Sequence, residues 1–259
     1  MSNLWFNVTS TSKYDGKESN YVDLSKSEWA KNLLNHLHQI SDEFYGYINV
    51  NGMAPYFHHS MVSRKNTWKT LGLKFWNVLI YKYKNKFPVS YNFLRANPDV
   101  IAMSFSKLEP GSRILPHSGD TNGIFRVHVG MIIPGALPEC GFSVRGERRS
   151  WKQGELLAFT DAFEHEAWNE TDKTRIIMML DIIRPEFKNH QRYICNQVIA
   201  SLLIQRILSG LFKNRKHNTG PFNVPLSVRK TCAWTALVVV YLALPVRNIF
   251  AYLSHLTRK

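Results

Sequence analysis

The sequence predicts a mainly β protein, an antiparallel sandwich or jelly roll with helices before and after it. Between Asp99 and Pro185, six short β-rich runs follow one another with turn residues between them and no helical period. On either side of this zone, apolar residues recur at steps of three and four. A parallel α/β fold needs a crossover helix between strands, and the middle zone leaves no room for one. The 259 residues suffice for one large domain or two small ones, and 44% hydrophobic against 20% charged residues is the balance of a globular chain.

In chain order, Ser25-Lys26-Ser27-Glu28 has the spacing of a capping box, and Trp29, Leu33, Leu37, Ile40 and Phe44 behind it form an amphipathic helical stripe. Residues 51–97 are aromatic and basic, with turn signals at Gly52, Gly72 and Pro88. Such interleaving can stack single-stranded nucleic acid, but it also builds ordinary lids and walls, which is the reading adopted. The β runs cover residues 100–108, 124–133, 142–145, 148–151, 156–159 and 176–183, punctuated by Gly111, Gly119, Gly146 and Gly154. Arg145-Gly146-Glu147 reads as a tight hairpin. After Pro185, Tyr193, Ile194, Val198, Leu202, Leu203 and Leu211 make a second helical stripe with Arg192 and Arg206 beside it. A basic linker (Lys213, Arg215, Lys216), Gly220-Pro221 and Pro225 follow. Residues 231–244 then carry no charge until Pro245 and Arg247. That stretch falls short of the roughly 18–20 residues of a spanning helix, so an interfacial, re-entrant or tucked-in helix is expected. The expected division is an N-terminal helical lid region over 1–66, a β domain over 67–187 and a basic helical extension over 188–259.

Charge is uneven along the chain. The formal net charge is +14, yet the last acidic residue is Glu186, and the 73 residues after it hold eleven Lys and Arg. A basic block of this kind points to an anionic partner, a bilayer surface first and nucleic acid a remote third. Cys140, Cys195 and Cys232 are scattered and odd in number, which excludes a disulfide framework and a CxxC zinc signature. Residues 1–13 have no apolar core of signal-peptide length, so the expected location is cytoplasmic, peripheral at the inner face of a membrane. Asn7 and Asn169 fit the glycosylation pattern and are read as chance matches.

Two segments combine a histidine, small residues and carboxylates at a strand end: Ile114 to Asp120 around His117, and Asp161 to Trp168 around His165. A lone histidine in a sheet is ordinary, and its company decides. On the strand Phe125-Arg126-Val127-His128-Val129, alternation puts Arg126 and His128 on one face. Arg175 heads an apolar strand, where a cation is costly unless a carboxylate meets it. Two imidazoles could therefore ligate iron, zinc or copper, with Arg126, His128 and Arg175 left to hold a small dicarboxylate.

Residues 106–122 and 125–130, then 151–169 and Arg175 to Asp181, resemble the aspartyl/asparaginyl β-hydroxylase family, in order and over about Trp68 to Pro185. The resemblance implies a double-stranded β-helix, cupin-like, and an Fe(II)- and 2-oxoglutarate-dependent dioxygenase that uses O2 and releases succinate. It implies iron on His117 and His165, and 2-oxoglutarate held by Trp68, Ser106, Arg126, His128 and Arg175, with Arg175 on one carboxylate. Plain core is the ordinary alternative for Trp68.

The usual triad at such iron adds a carboxylate two residues after the first histidine. Here that residue is Gly119, with Asp120 one place further on the wrong face, and the family has glycine there too. The gap leaves room for water, substrate or a halide, so halogenation stays a minor alternative. His58-His59 is read as an exposed pair, Glu164 and Glu166 as pointing away from the metal, and Asp181 as a partner or orienter in phase with Arg175. The family spans peptidyl aspartyl/asparaginyl, free or carrier-bound amino-acid, and lipid A acyl substrates. This chain lacks the signal anchor and repeat region expected of the first group. Its acid-free tail favours an acyl chain or other membrane-presented substrate, with the amino-acid substrates as runner-up. A non-catalytic binding module is the remaining alternative.

Overall fold

The computed structural model describes residues 3–56, 61–211 and 226–256; His58-His59 and the linker at Lys213, Arg215 and Lys216 lie outside them. Twelve strands run in chain order: β1 (Tyr21–Val22), β2 (Ala54–Pro55), β3 (Trp68–Phe75), β4 (Val78–Leu79), β5 (Val100–Leu108), β6 (Ser112–His117), β7 (Ile124–Ile132), β8 (Cys140–Val144), β9 (Glu147–Arg149), β10 (Leu156–Phe159), β11 (His165–Asn169) and β12 (Arg175–Ile183). Helices α1 (Glu28–Asn51) and α2 (Pro88–Ala96) precede the main strands, and α3 (Gln191–Leu211) and α4 (Leu226–Leu256) follow them.

The large sheet has the order β1-β10-β7-β12-β5-β3-β2 with β4 on β3, and the small one β6-β11-β8-β9, paired antiparallel throughout. Strands β5 to β8 alternate between the two sheets, and so do β9 to β12 after the β8–β9 hairpin. Eight strands thereby wind as a double-stranded β-helix, the cupin-like jelly roll. The hairpin turn is built on Arg145 (φ 49°) and Gly146 (φ 82°), the paired left-handed conformations a two-residue turn requires.

Both faces of the large sheet are covered, which explains the near-continuous apolar run of β12. Ile176, Met178, Leu180 and Ile182 pack outward with Leu33, Ile40 and Phe44 of α1, and Phe44 stacks on Phe105 at 4.2 Å. Ile177 points inward to a second core with Leu108, Phe142, Trp151 and Phe159. By the period of two, Arg175 and Asp181 share the inward face of β12, and Arg126 and His128 that of β7. A third core joins α3 and α4 to the end of the barrel through Ile101, Ile124, Ile194, Val198 and Val240.

Several elements differ from the sequence expectation. The capping box does not form: Ser27 is the N-cap of α1 without a side-chain bond, and the hydroxyl of Ser25 donates to Asp23 instead. The aromatic stretch contributes β2, β3, β4 and α2, with β3 beside β5 in the large sheet. Two of the large sheet's strands, β1 and β2, come from the first 66 residues. Helix α4 does not stop at Pro245 but runs 31 residues through it. Its segment Ser227–Pro245 is long and apolar enough to cross a membrane, by length and composition. In agreement with the expectation of no disulfide framework, all three cysteines are free. Asn169 is fully buried, with its amide donating to the carbonyls of Leu108 and Lys173.

Candidate active site

His117 and His165 end up face to face because β6 and β11 are neighbours and the two residues are register partners. Their ring centroids lie 4.2 Å apart, edge to face. Each Nδ1 sits 2.8 Å from a backbone carbonyl two residues back, Leu115 for His117 and Phe163 for His165. A carbonyl only accepts, so each Nδ1 carries the proton and each Nε2 keeps a lone pair. Burial, aided by the facing His165, pushes His117 down to about 3, and burial does the same to His165. Both rings are therefore neutral, the form that ligates metal.

Beside them, Asp161 explains Gly119. A Cβ on Gly119 would stand 1.9 Å from Asp161 Oδ2 and 2.7 Å from its carbonyl oxygen, which accepts the Gly119 N–H at 2.8 Å. No side chain fits at position 119, and the Asp161 carboxylate fills that space from the opposite strand end. Asp161 Oδ1 lies 3.7 Å from His165 Nε2 and 2.8 Å from Arg126 Nη1, yet neither oxygen receives a hydrogen bond of proper geometry. Arg126 is gripped on its other edge by Asp181, with Nε donating to Oδ1 at 2.7 Å and Nη2 to Oδ2 at 3.0 Å. Burial and then Asp161 push the neighbouring Asp120 carboxyl up to about 7.

Deeper in the barrel lies a cation with no anion among the described residues. Arg175 is 1% exposed, its Nε has no partner, and its one hydrogen bond is a long one from Nη1 to Ser106 Oγ at 3.5 Å. Its guanidinium lies over the Trp151 ring, 4.8 Å from the centroid. Burial pulls its pKa down to about 10. Trp68 Nε1 also donates to Ser106 Oγ at 3.0 Å, and Trp151 Nε1 donates to His128 Nδ1 at 3.2 Å. His128 must then carry its proton on Nε2, and Ser106, accepting twice, has its own O–H to donate. Tyr56 stacks on Trp68 with centroids 3.8 Å apart.

Of the residues singled out in the sequence, His117 and His165 form one group, and Trp68, Ser106, His128 and Arg175 a second behind it. Arg126 stands on the histidine side, in the grip of Asp181 and Asp161. Glu164 pairs with Lys13 at the surface. Sequence reasoning gave no role to Asp161, Trp151 or Tyr56. The available signal was an acid four residues before His165 together with a glycine where a carboxylate ligand would otherwise stand.

Among the described residues no set of three His, Cys, Asp or Glu is grouped as a metal site. The donor set is two neutral imidazoles with a buried, under-bonded carboxylate close by, which fits a divalent ion such as Fe(II). The unpartnered Arg175, with hydroxyl and imidazole donors around it, fits a carboxylate. His117, His165 and Arg175 could thus hold a metal and an organic acid side by side.

The aspartyl/asparaginyl β-hydroxylase family profile matches residues 35–185, beginning further upstream, within α1, than the motifs alone suggest. An ornithine lipid ester-linked acyl 2-hydroxylase of Rhizobium tropici is 33% identical over 143 residues, 55% of this chain and 50% of that protein. An aspartyl/asparaginyl β-hydroxylase of Mus musculus is 37% identical over 90 residues, 35% of this chain and 12% of that protein. The chain thus spans about half the length of the first relative and far less of the second. Among solved structures, a predicted oxalate decarboxylase of Thermotoga maritima aligns with a TM-score of 0.34 and 16% identity, covering 51% of this chain and 94% of that one. With the profile running through both histidine strands and Arg175, this chain belongs to the aspartyl/asparaginyl β-hydroxylase family.

Proposed function

We propose that this chain is an Fe(II)- and 2-oxoglutarate-dependent dioxygenase that hydroxylates an unactivated C–H bond, on an acyl chain or another membrane-presented group. The observation that carries the proposal is Arg175, a buried guanidinium with no carboxylate partner among the described residues, in the same barrel as two neutral imidazoles whose Nε2 atoms keep their lone pairs. An unpaired buried charge costs several kcal/mol, so its position makes sense when a ligand carboxylate completes it. Iron held by His117 and His165 would supply the oxygen chemistry, and 2-oxoglutarate the electrons.

The chain's own groups do the rest. Arg175 offers its fork to one carboxylate of the cosubstrate, Ser106 and His128 donate to the same end, and Trp68 and Trp151 wall it from water. The Nδ1 bonds of His117 and His165 hold both rings in the ligating tautomer. Asp161 places its carboxyl group in the space that the missing side chain of Gly119 leaves.

On the side facing the histidines, the Asp161 and Asp181 carboxylates both lie against the one guanidinium of Arg126. An incoming aspartyl carboxylate would meet that field, whereas a neutral acyl chain would not. This arrangement supports the lipid reading over an aspartyl substrate, in keeping with the acyl hydroxylation named for the Rhizobium tropici relative. It also disfavours halogenation, because a halide beside Gly119 would face the Asp161 carboxylate. The test is succinate formation from 2-oxoglutarate with added Fe(II), followed by mass spectrometry of lipids and peptides for a gain of one oxygen. His117→Ala and His165→Ala are each expected to reduce succinate to background. Undiminished turnover in either would sink the oxygenase proposal, and halogenated product in chloride or bromide would revive the minor alternative.

A further inference from the structure

We propose that the outward face of α4 is a docking surface for an anionic bilayer, with the helix lying along the headgroups rather than crossing. The proposal deepens the membrane-presented substrate read above and rests on it for its purpose, while the geometry comes from the helix itself.

The two faces of α4 differ. On the inner face, Arg229 donates through Nη1 to the carbonyls of Val8 at 3.1 Å and Ser10 at 3.2 Å, and Ala233 and Val240 are buried against the domain. On the outer face, Trp234, Val238 and Leu242 recur at i, i+4 and i+8 and stand in water, Trp234 69% and Leu242 71% exposed, with Val239 beside them. Only 17% of the apolar window is buried inside the protein. A continuous apolar stripe of this kind is made to meet an apolar phase.

Charge selects that phase. From Phe187 to the end the chain holds eleven Lys and Arg and no acid, and Lys230 is exposed at the start of the stripe. A second copy would bring like charge against like, whereas anionic lipid complements it. The inner face decides the orientation. Between Arg229 and Leu244, about 22 Å of helix at 1.5 Å per residue, α4 stays attached to the domain. Crossing would carry the polar groups around Arg229 into hydrocarbon, where they are costly.

The docked helix would also be joined to the site. The segment gripped by Arg229 continues to Asn7, whose N–H donates to Asp120 O at 2.9 Å, and to Phe6, which bridges Thr121. Both contacts fall on the turn that follows His117, so the membrane face and the rim of the barrel are held by one short strap.

The experiment is co-sedimentation of the full chain with phosphatidylglycerol vesicles and with phosphatidylcholine vesicles. Wild type should bind the anionic vesicles at least about tenfold more strongly, and high salt should weaken that binding. Trp234→Ser with Leu242→Ser should weaken it by about tenfold or more, leaving iron-dependent succinate formation in detergent-free buffer unchanged. Equal binding by wild type and the double variant overturns the proposal. So does a dimer in light scattering that the double variant dissolves, or shielding of the C-terminal end from protease inside sealed vesicles. Vesicle binding without succinate would defeat the oxygenase reading and leave the docking surface standing; the reverse result would defeat docking alone.

Discussion

Inside the barrel, Arg175, Asp161 and Asp181 are withdrawn from water, while on α4 Trp234, Val239 and Leu242 stand in it. Each region reverses the usual preference, charge outside and large apolar groups inside. In the barrel, part of the charge is settled internally, since Asp181 and Asp161 meet Arg126, whereas Arg175 has no anion among the described residues. On α4 the inner half of the helix is settled against the domain and the outer half is not. The difference teaches what each region lacks among the described residues: an anion for Arg175 in the barrel, and a cover for the outer apolar face of α4.

The largest expected effect separates the two kinds of cost. Arg175→Met should raise the 2-oxoglutarate concentration for half-saturation by about 10- to 100-fold, the loss of a charge-assisted bond of roughly 1.5–3 kcal/mol. The same change should raise the melting temperature of the ligand-free protein, because an uncompensated buried charge is replaced by a thioether. Thermal melts with and without 2-oxoglutarate read both effects. Should Arg175→Met melt lower than wild type without ligand, the arginine has a structural role and the contrast with α4 fails.

Gly119→Ala should cost about 1–3 kcal/mol in urea unfolding, the range for forcing extra atoms into a packed site. The cost should shrink when Asp161→Ala is added, although the backbone oxygen of Asp161 keeps it above zero. Additive effects in that double-mutant cycle would mean the two residues do not share one space. On the exposed side, Trp234→Ser should move stability by no more than about 0.5 kcal/mol, since that side chain has little folded contact to lose.

The smallest effect concerns the N-terminal segment. Burial raises the Glu18 carboxyl, but the Tyr14 hydroxyl and the Arg184 guanidinium prevail and hold it below its ordinary 4.5. A depressed carboxyl contributes stability above the unfolded value and loses it as pH falls through the lower folded one. The urea midpoint of wild type should therefore drop below about pH 4.5, and Glu18→Gln should flatten that acid limb. Parallel curves for the two proteins would show that Glu18 adds nothing there.

Strands β5 and β10 were legible to the residue, because apolar runs bounded by turn residues set their ends. Strands β6 and β11 were not. In β6, Arg113, Leu115 and Pro116 are exposed, which leaves little apolar alternation to detect, and β11 is short and mixed in polarity. Strand β3 was hidden by aromatic and basic composition that suits a loop as well as an edge. The full length of α4 was hidden by Pro245, since a proline removes one helical hydrogen bond but the helix runs on through it. In the candidate site, motifs bring His117, His165 and Arg175 to notice, whereas Asp161 is signalled only weakly, by its place four residues before His165. Its importance comes from lying opposite Gly119, at a separation in sequence that no local pattern spans.

By itself the sequence determined the strand periods, hence which side chains share a face: Arg126 with His128, and Arg175 with Asp181. It also determined the family and the abrupt loss of acidic residues after Glu186. Tertiary structure alone decided which charges meet. Ion pairing acts through space between strands that alternate across two sheets, so Asp181 reaches Arg126 rather than the arginine on its own strand. Arg175 is left open by the same geometry. Likewise, helical spacing marked α4 as apolar, but only packing against α3 and the segment Val8–Ser10 determined which half of it faces outward.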